Sequence, residues 1–235
     1  PFHIYGQKKN NKPRNKEEFL SQKDSLLSDD LFVDGTSEYI NENYQKAILL
    51  YQKVKKKFPE ESAIYHQIAK CHAAKDELYE AIKYEEIAIE LSPLNKYYYL
   101  ELADYLREIK GWEELIACYE SMLQNTQGTD FYFYDLAKIH IHLYKKIKYN
   151  YPQGNLPKKE QKNLAMHLEK ALGAFANYEQ YFGTEAELLL DRQDLLILAN
   201  RPKDAVVVGN QLVNLYPNNV DYPLKNARIL KQTEG

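Results

Sequence analysis

Apolar residues recur along most of this chain at the three- and four-residue spacing of an amphipathic helix, with lysine, glutamate and glutamine between them. "YQKAILLYQKV" (44–54), "YEAIKYEEIAI" (79–89) and "WEELIACYESM" (112–122) are three such stretches. Prolines then punctuate the pattern. Pro59 in "KKKFPEES" and Pro93 in "IELSPLNK" stand 34 residues apart, and a further 34 residues reach Gln127 in the polar turn "LQNTQGTD". Twelve residues before these three points lie Ala47, Ala81 and Leu115. The spacing predicts at least ten helices, arranged in pairs of 34-residue period from about residue 28 to 219. A proline just past a helix supplies no N–H and helps to stop it.

Several columns agree in this register. The first helix of each pair carries a large residue near its start: Leu31, Tyr65, Tyr99, Phe133 and Leu189. A small residue follows at Gly35, Ala69, Ala103 and Ala137, and the second helix carries Ala47, Ala81, Leu115, Ala171 and Ala205. Small residues let two helix backbones approach, and large ones fill the hollow beside them. In these columns the chain resembles the tetratricopeptide repeat (TPR) family. The resemblance covers repeats 28–61, 62–95, 96–129, 130–185 and 186–219. It implies an all-α fold, a right-handed α-solenoid of about five helix-turn-helix repeats closed by a helix within 220–235.

Some positions depart from the pattern. Glu85 stands where the second repeat would carry an aromatic residue. The fifth repeat has Arg192 and Gln193 where leucine and a small residue are expected, and Gly209 where an aromatic is expected. The fourth repeat is too long by 22 residues. Pro152, Gly154 and Pro157 place the surplus in a loop, and a mobile segment over about 147–162 is expected. Ahead of the array, residues 8–27 read as a flexible basic lead followed by a short amphipathic capping helix in "KEEFLSQKDSLL". "PFHIYGQ" at residues 1–7 resembles the tail of a secretory signal peptide of the Bacteroidetes type. That resemblance implies a periplasmic or secreted protein, with a cytoplasmic one as the alternative.

Composition narrows the function rather than the fold. Nine glycines and nine prolines in 235 residues are too few for a many-turned β-sandwich. A net charge of −3 gives no reason to expect a nucleic acid partner. No apolar run is long enough to span a membrane. Two cysteines, Cys71 and Cys118, form no disulfide framework and read as small buried hydrophobes. Phosphate-loop, dinucleotide, nucleophile-elbow and zinc-helix motifs are all missing. His140 and His142 are two apart on a helix and diverge, and His72 and His167 read as lone histidines. Adjacent glutamates such as Glu85–Glu86 read as solvated faces. No catalytic residue, metal site or cofactor is therefore expected.

Twenty-one tyrosines are the compositional excess. In "KYYYLELADYL" three are consecutive, and a helix that turns about 100° per residue cannot bury all of them. The resemblance places first helices along the concave face. Tyr99 is then core, Tyr98 lies at a seam and Tyr97 faces the groove. In "DFYFYD", Phe133 is core, Tyr132 seam, and Phe131 and Tyr134 face the groove. The expected concave surface is His66, Lys70, Tyr97, Leu100, Asp104, Phe131, Tyr134, Lys138 and His142. Positions aligned with the chaperone-tail clamp of some relatives hold Phe32, Thr36, Gln67, Tyr97 and Glu101, so that clamp is absent. The expected function is a non-catalytic scaffold that holds a peptide or protein segment, with an envelope assembly as one setting. A carbohydrate or small-ligand binder using the aromatic groove is the alternative. Oligomeric state is not legible.

Overall fold

The computed structural model describes residues 16–233, with side chains from Ser28 to Lys231. The signal-peptide resemblance at 1–7 and the start of the basic lead lie outside them. The described residues form eleven α-helices: α1 (Lys16–Ile40), α2 (Tyr44–Lys57), α3 (Ser62–Ala74), α4 (Leu78–Leu91), α5 (Lys96–Glu108), α6 (Trp112–Asn125), α7 (Tyr132–Asn150), α8 (Lys158–Phe182), α9 (Ala186–Leu198), α10 (Pro202–Leu215) and α11 (Asp221–Thr233). They divide into two compact halves, with the break between Tyr105 and Leu106. In the N-terminal half α1 packs on α2, α2 on α3 and α3 on α4. In the C-terminal half each helix from α6 to α11 packs on the next.

The small-residue columns are the helix crossings. Gly35, Ala69, Ala103 and Ala137 are buried on first helices, and Ala47, Ala81, Leu115, Ala171 and Ala205 on second helices. A Cβ on Gly35 would lie 2.8 Å from the Tyr51 ring, so glycine admits that ring. The fifth repeat inverts the sizes. Gln193 occupies the small-residue position and is buried, while Gly209 occupies the aromatic position. A Cβ on Gly209 would fall 2.5 Å from Gln193 Nε2 and 2.1 Å from Asn226 Oδ1. Two departures that look unrelated in sequence therefore compensate each other. Gln193 Nε2 donates to the Ala205 carbonyl and Asn226 Nδ2 to Asn210 Oδ1, tying α9, α10 and α11 together.

The turns inside the pairs repeat as closely as the crossings. Glu42, Asp76, Lys110 and Asn200 have φ of 62°, 64°, 59° and 57°. All four stand at one repeat position. Each N–H bonds three residues back, and the following N–H bonds five residues back, as in Asp76 to Ala73 and Glu77 to His72. This is the Schellman arrangement, which uses a left-handed residue to satisfy the last carbonyls of a helix. The equivalent residue of the fourth repeat is Tyr144, which is helical and buried.

Three expectations are corrected. The fourth repeat carries its surplus mainly as helix, because α7 runs to Asn150 and α8 begins at Lys158. Only 151–157 lie between them, not 147–162. Lysine, glutamate and glutamine in the flanks are good helix formers, and the proline and glycine signal marks the turn alone. Residues 16–27 are helical as expected, but as the first part of the 25-residue α1 rather than a separate short cap. Phe133 is only partly buried rather than core.

Candidate binding surface

The nine residues expected on the concave face fall in both halves, and each set is described by itself. In the N-terminal half, α5 presents Tyr97 65% exposed, with Lys96 Nζ 5.9 Å from its ring centroid. Tyr98 and Tyr99 are buried. Tyr99 donates its hydroxyl to the Pro93 carbonyl, just as Tyr65 does to that of Pro59. Tyr98 reaches the Ser62 hydroxyl at 3.2 Å. Leu100 is half-buried and Asp104 exposed. Lys70 Nζ lies 5.4 Å over the Tyr39 ring.

His66 is engaged rather than free. Its Nδ1 lies 2.9 Å and 3.0 Å from the two carboxylate oxygens of Glu85. Tyr98 packs on the imidazole with ring centroids 4.9 Å apart. Glu85 is completely buried, which corrects its reading as part of a solvated face. Burial pushes its pKa up, and the bond to His66 opposes the rise. The sequence showed Glu85 as out of place, but not the partner that explains it.

In the C-terminal half, Phe131 is 46% exposed. Tyr134 turns inward. Its hydroxyl donates to Asp191 at 2.8 Å, and its ring packs near Phe175 and Tyr178. Burial, then the bond to Asp191, raise its pKa. Lys138 Nζ sits 4.2 Å over the Tyr134 ring. His142 is exposed and packs against Trp112 at 4.6 Å. Lys138, His142, Trp112, Arg107, Tyr119 and Asp135 line a cleft of about 210 Å³. A larger groove of about 690 Å³ lies elsewhere, lined by residues of α6, α7 and α8 that include Leu123, Leu136 and Met166.

Two histidines missed as a pair meet in the core of this half. His140 and His167 approach Nδ1 to Nδ1 at 2.9 Å, both buried. Burial, reinforced by His167, lowers the pKa of His140 to about 4, and burial lowers that of His167. His72, the other histidine read as lone, bonds Glu77 and stacks on Tyr84. Among the described residues no cluster of three or more His, Cys, Asp or Glu side chains could hold a metal ion. No helix among them is long and apolar enough to cross a membrane. Both cysteines are buried, and burial raises the Cys71 thiol to about 11, far from the range of a reactive thiolate.

Paired helices, buried and mostly small residues in the crossing columns and one turn geometry repeated four times define a helical-repeat array of the TPR type, an α-solenoid. No family profile matches the sequence, and neither does any curated protein. Among solved structures MamA superimposes with a TM-score of 0.53 at 13% identity, over 86% of this chain and 96% of that one. The MamA RS-1 double mutant gives 0.50 at 10% identity, over 83% and 97%. The C-terminal part of a TPR repeat-containing protein from Cytophaga hutchinsonii is 17% identical over 84% of this chain and 69% of that one, with a TM-score of 0.49 that adds no weight. At these identities the likeness is one of fold alone.

Proposed function

We propose that this protein is a non-catalytic scaffold whose first-helix face holds a peptide or protein segment. The observation that carries the reading is the exposure of Tyr97 and Phe131. They stand 34 residues apart at the same repeat position, and each leaves a large ring in solvent beside a first helix. A large ring with few rotamers gives contact area at low entropic cost, and such rings are the usual anchors of an interface. An exported setting belongs to this proposal and rests on the resemblance of "PFHIYGQ" to a signal-peptide tail.

The test is a selection of displayed peptides on the immobilised chain, with affinities then measured for Tyr97→Ala and Phe131→Ala made separately. Each is expected to weaken the selected peptides by about 2 kcal/mol with helicity unchanged. Tyr134 is a poor test position, because its ring and hydroxyl hold α7 to its neighbours. Unchanged affinity in both variants would overturn the reading. So would binding on a glycan array with no peptide selected, which would favour the carbohydrate alternative.

A further inference from the structure

The repeats supply their own control for the His66–Glu85 pair. His66 occupies the repeat position of Phe32 in the first repeat, Leu100 in the third and Tyr134 in the fourth. Glu85 occupies that of Tyr51, Tyr119 and Phe175. In the first repeat the two positions meet as rings, Phe32 on Tyr51 at 5.4 Å. In the fourth they meet as Tyr134 on Phe175 at 6.0 Å. The second repeat exchanges both rings for polar groups, and the contact becomes imidazole on carboxylate at 2.9 Å. The fold is satisfied by two rings here. A polar pair in the same place gives up apolar packing and costs desolvation, so it is a poor device for stability.

The surroundings say what the exchange suits. Glu85 holds Nδ1 of His66, and Nε2 has no hydrogen-bond partner among the described residues, on a side chain 16% exposed. Tyr98 from α5 covers one face of the ring. The charged groups facing Glu85 besides His66 are Glu101 from α5 and Lys70 from α3. Glu101 also faces Tyr105 and, with it, Tyr39 from α1. Glu85 and Glu101 stand against the single ammonium of Lys70, a set that suits one further cation. A cationic side chain of a ligand can supply it, donating to Nε2 while Nδ1–H donates to Glu85.

We propose that His66, Glu85 and Glu101 form an anchor in the second repeat for a lysine or arginine side chain of a bound peptide. The ligand's cation donates to Nε2 of His66, which Glu85 holds at Nδ1. This inference rests on the peptide-binding reading above and deepens it at one position. The pair also explains why a buried carboxylate persists where neighbouring repeats place a ring.

The test uses the full chain and three N-acetylated, C-amidated decapeptides that alternate leucine with arginine, glutamine or glutamate, followed by fluorescence anisotropy at pH 8. The arginine peptide is expected to bind about tenfold tighter than the glutamine peptide at pH 8, the scale of one close charge pair. The glutamate peptide should bind weakest. The double variant His66→Phe, Glu85→Tyr copies the ring pair of the first repeat. It is expected to fold with a higher melting temperature and to lose the arginine preference. Glu90→Gln, which removes one exposed charge from α4, should keep it. An arginine preference that survives the double variant, or a preference for glutamate, would overturn the anchor. Equal binding of arginine and glutamine peptides by the natural chain would overturn the anchor and leave the peptide groove standing. Binding of none would remove both.

Discussion

Acid should loosen the C-terminal half through one buried contact. His140 and His167 share a hydrogen bond at 2.9 Å, which needs at least one neutral ring, and both are buried. An unfolded histidine titrates at about 6.5. His140 in the folded chain is held at about 4. A folded pKa below the unfolded one means that stability is fully present above pH 6.5 and is lost as pH falls toward 4. With these two values the loss from His140 alone is about 2 kcal/mol at pH 5 and about 3 kcal/mol at pH 4. His167 shifts in the same direction and adds to it. The raised carboxyls of Glu85 and Asp135 act oppositely, gaining stability as pH falls, so the pair must be isolated by difference. His140→Leu with His167→Leu removes both partners together and leaves no unpaired donor. Leu106 already occupies the position equivalent to His140 in the third repeat. The assay is urea denaturation from pH 4.5 to 7.5, read by the fluorescence of Trp112, the single tryptophan, which lies in this half. The natural chain should lose at least about 2 kcal/mol more than the double variant between pH 7 and 5. Parallel pH profiles for the two proteins would refute the reasoning.

Three other outcomes follow from packing and backbone geometry. Ala81→Leu overfills the crossing where Ala69, Ala81 and Tyr105 meet and should cost about 1–3 kcal/mol by thermal denaturation. Gly209→Ala would drive a Cβ into Asn226 and Gln193, so a similar loss of about 1–3 kcal/mol is expected, reported by faster hydrogen exchange in α10 and α11. Lys110→Gly relieves a left-handed lysine at an exposed turn and should raise stability by about 0.5–1 kcal/mol, the left-handed cost less the added chain entropy. A lower melting temperature for Lys110→Gly would show that the lysine is unstrained there.

Where contacts recur at a fixed spacing, the sequence was readable. Ala47, Ala81 and Ala205 announce helix crossings because a close approach admits little else, and Tyr97, Tyr98 and Tyr99 sort onto three faces because a helix turns by a fixed angle. The extent of α1, α7 and α8 was hidden for a simple reason. Solvated helix and solvated loop use the same lysines and glutamates, and only Pro152, Gly154 and Pro157 separate them. Contacts between elements without a repeat were hidden as well. His140 and His167 are 27 residues apart, and nothing in their flanks predicts that they meet. For His66 and Glu85 the signal was present but distributed. It appears only when Phe32 with Tyr51 and Tyr134 with Phe175 are set in the same two columns.

The left-handed turns carry a consequence for how the chain divides into parts. At Glu42, Asp76, Lys110 and Asn200 the backbone leaves one helix and enters the next through the same two hydrogen bonds. A splice at any of these joints meets the same backbone geometry on both sides, so a stretch bounded by two of them, such as α2–α3, ends on interchangeable joints. Residues 130–185 have surrendered that joint to a continuous helix through Tyr144. That pair can be moved only whole, and it is the one member of the array whose length is a private feature rather than a shared one.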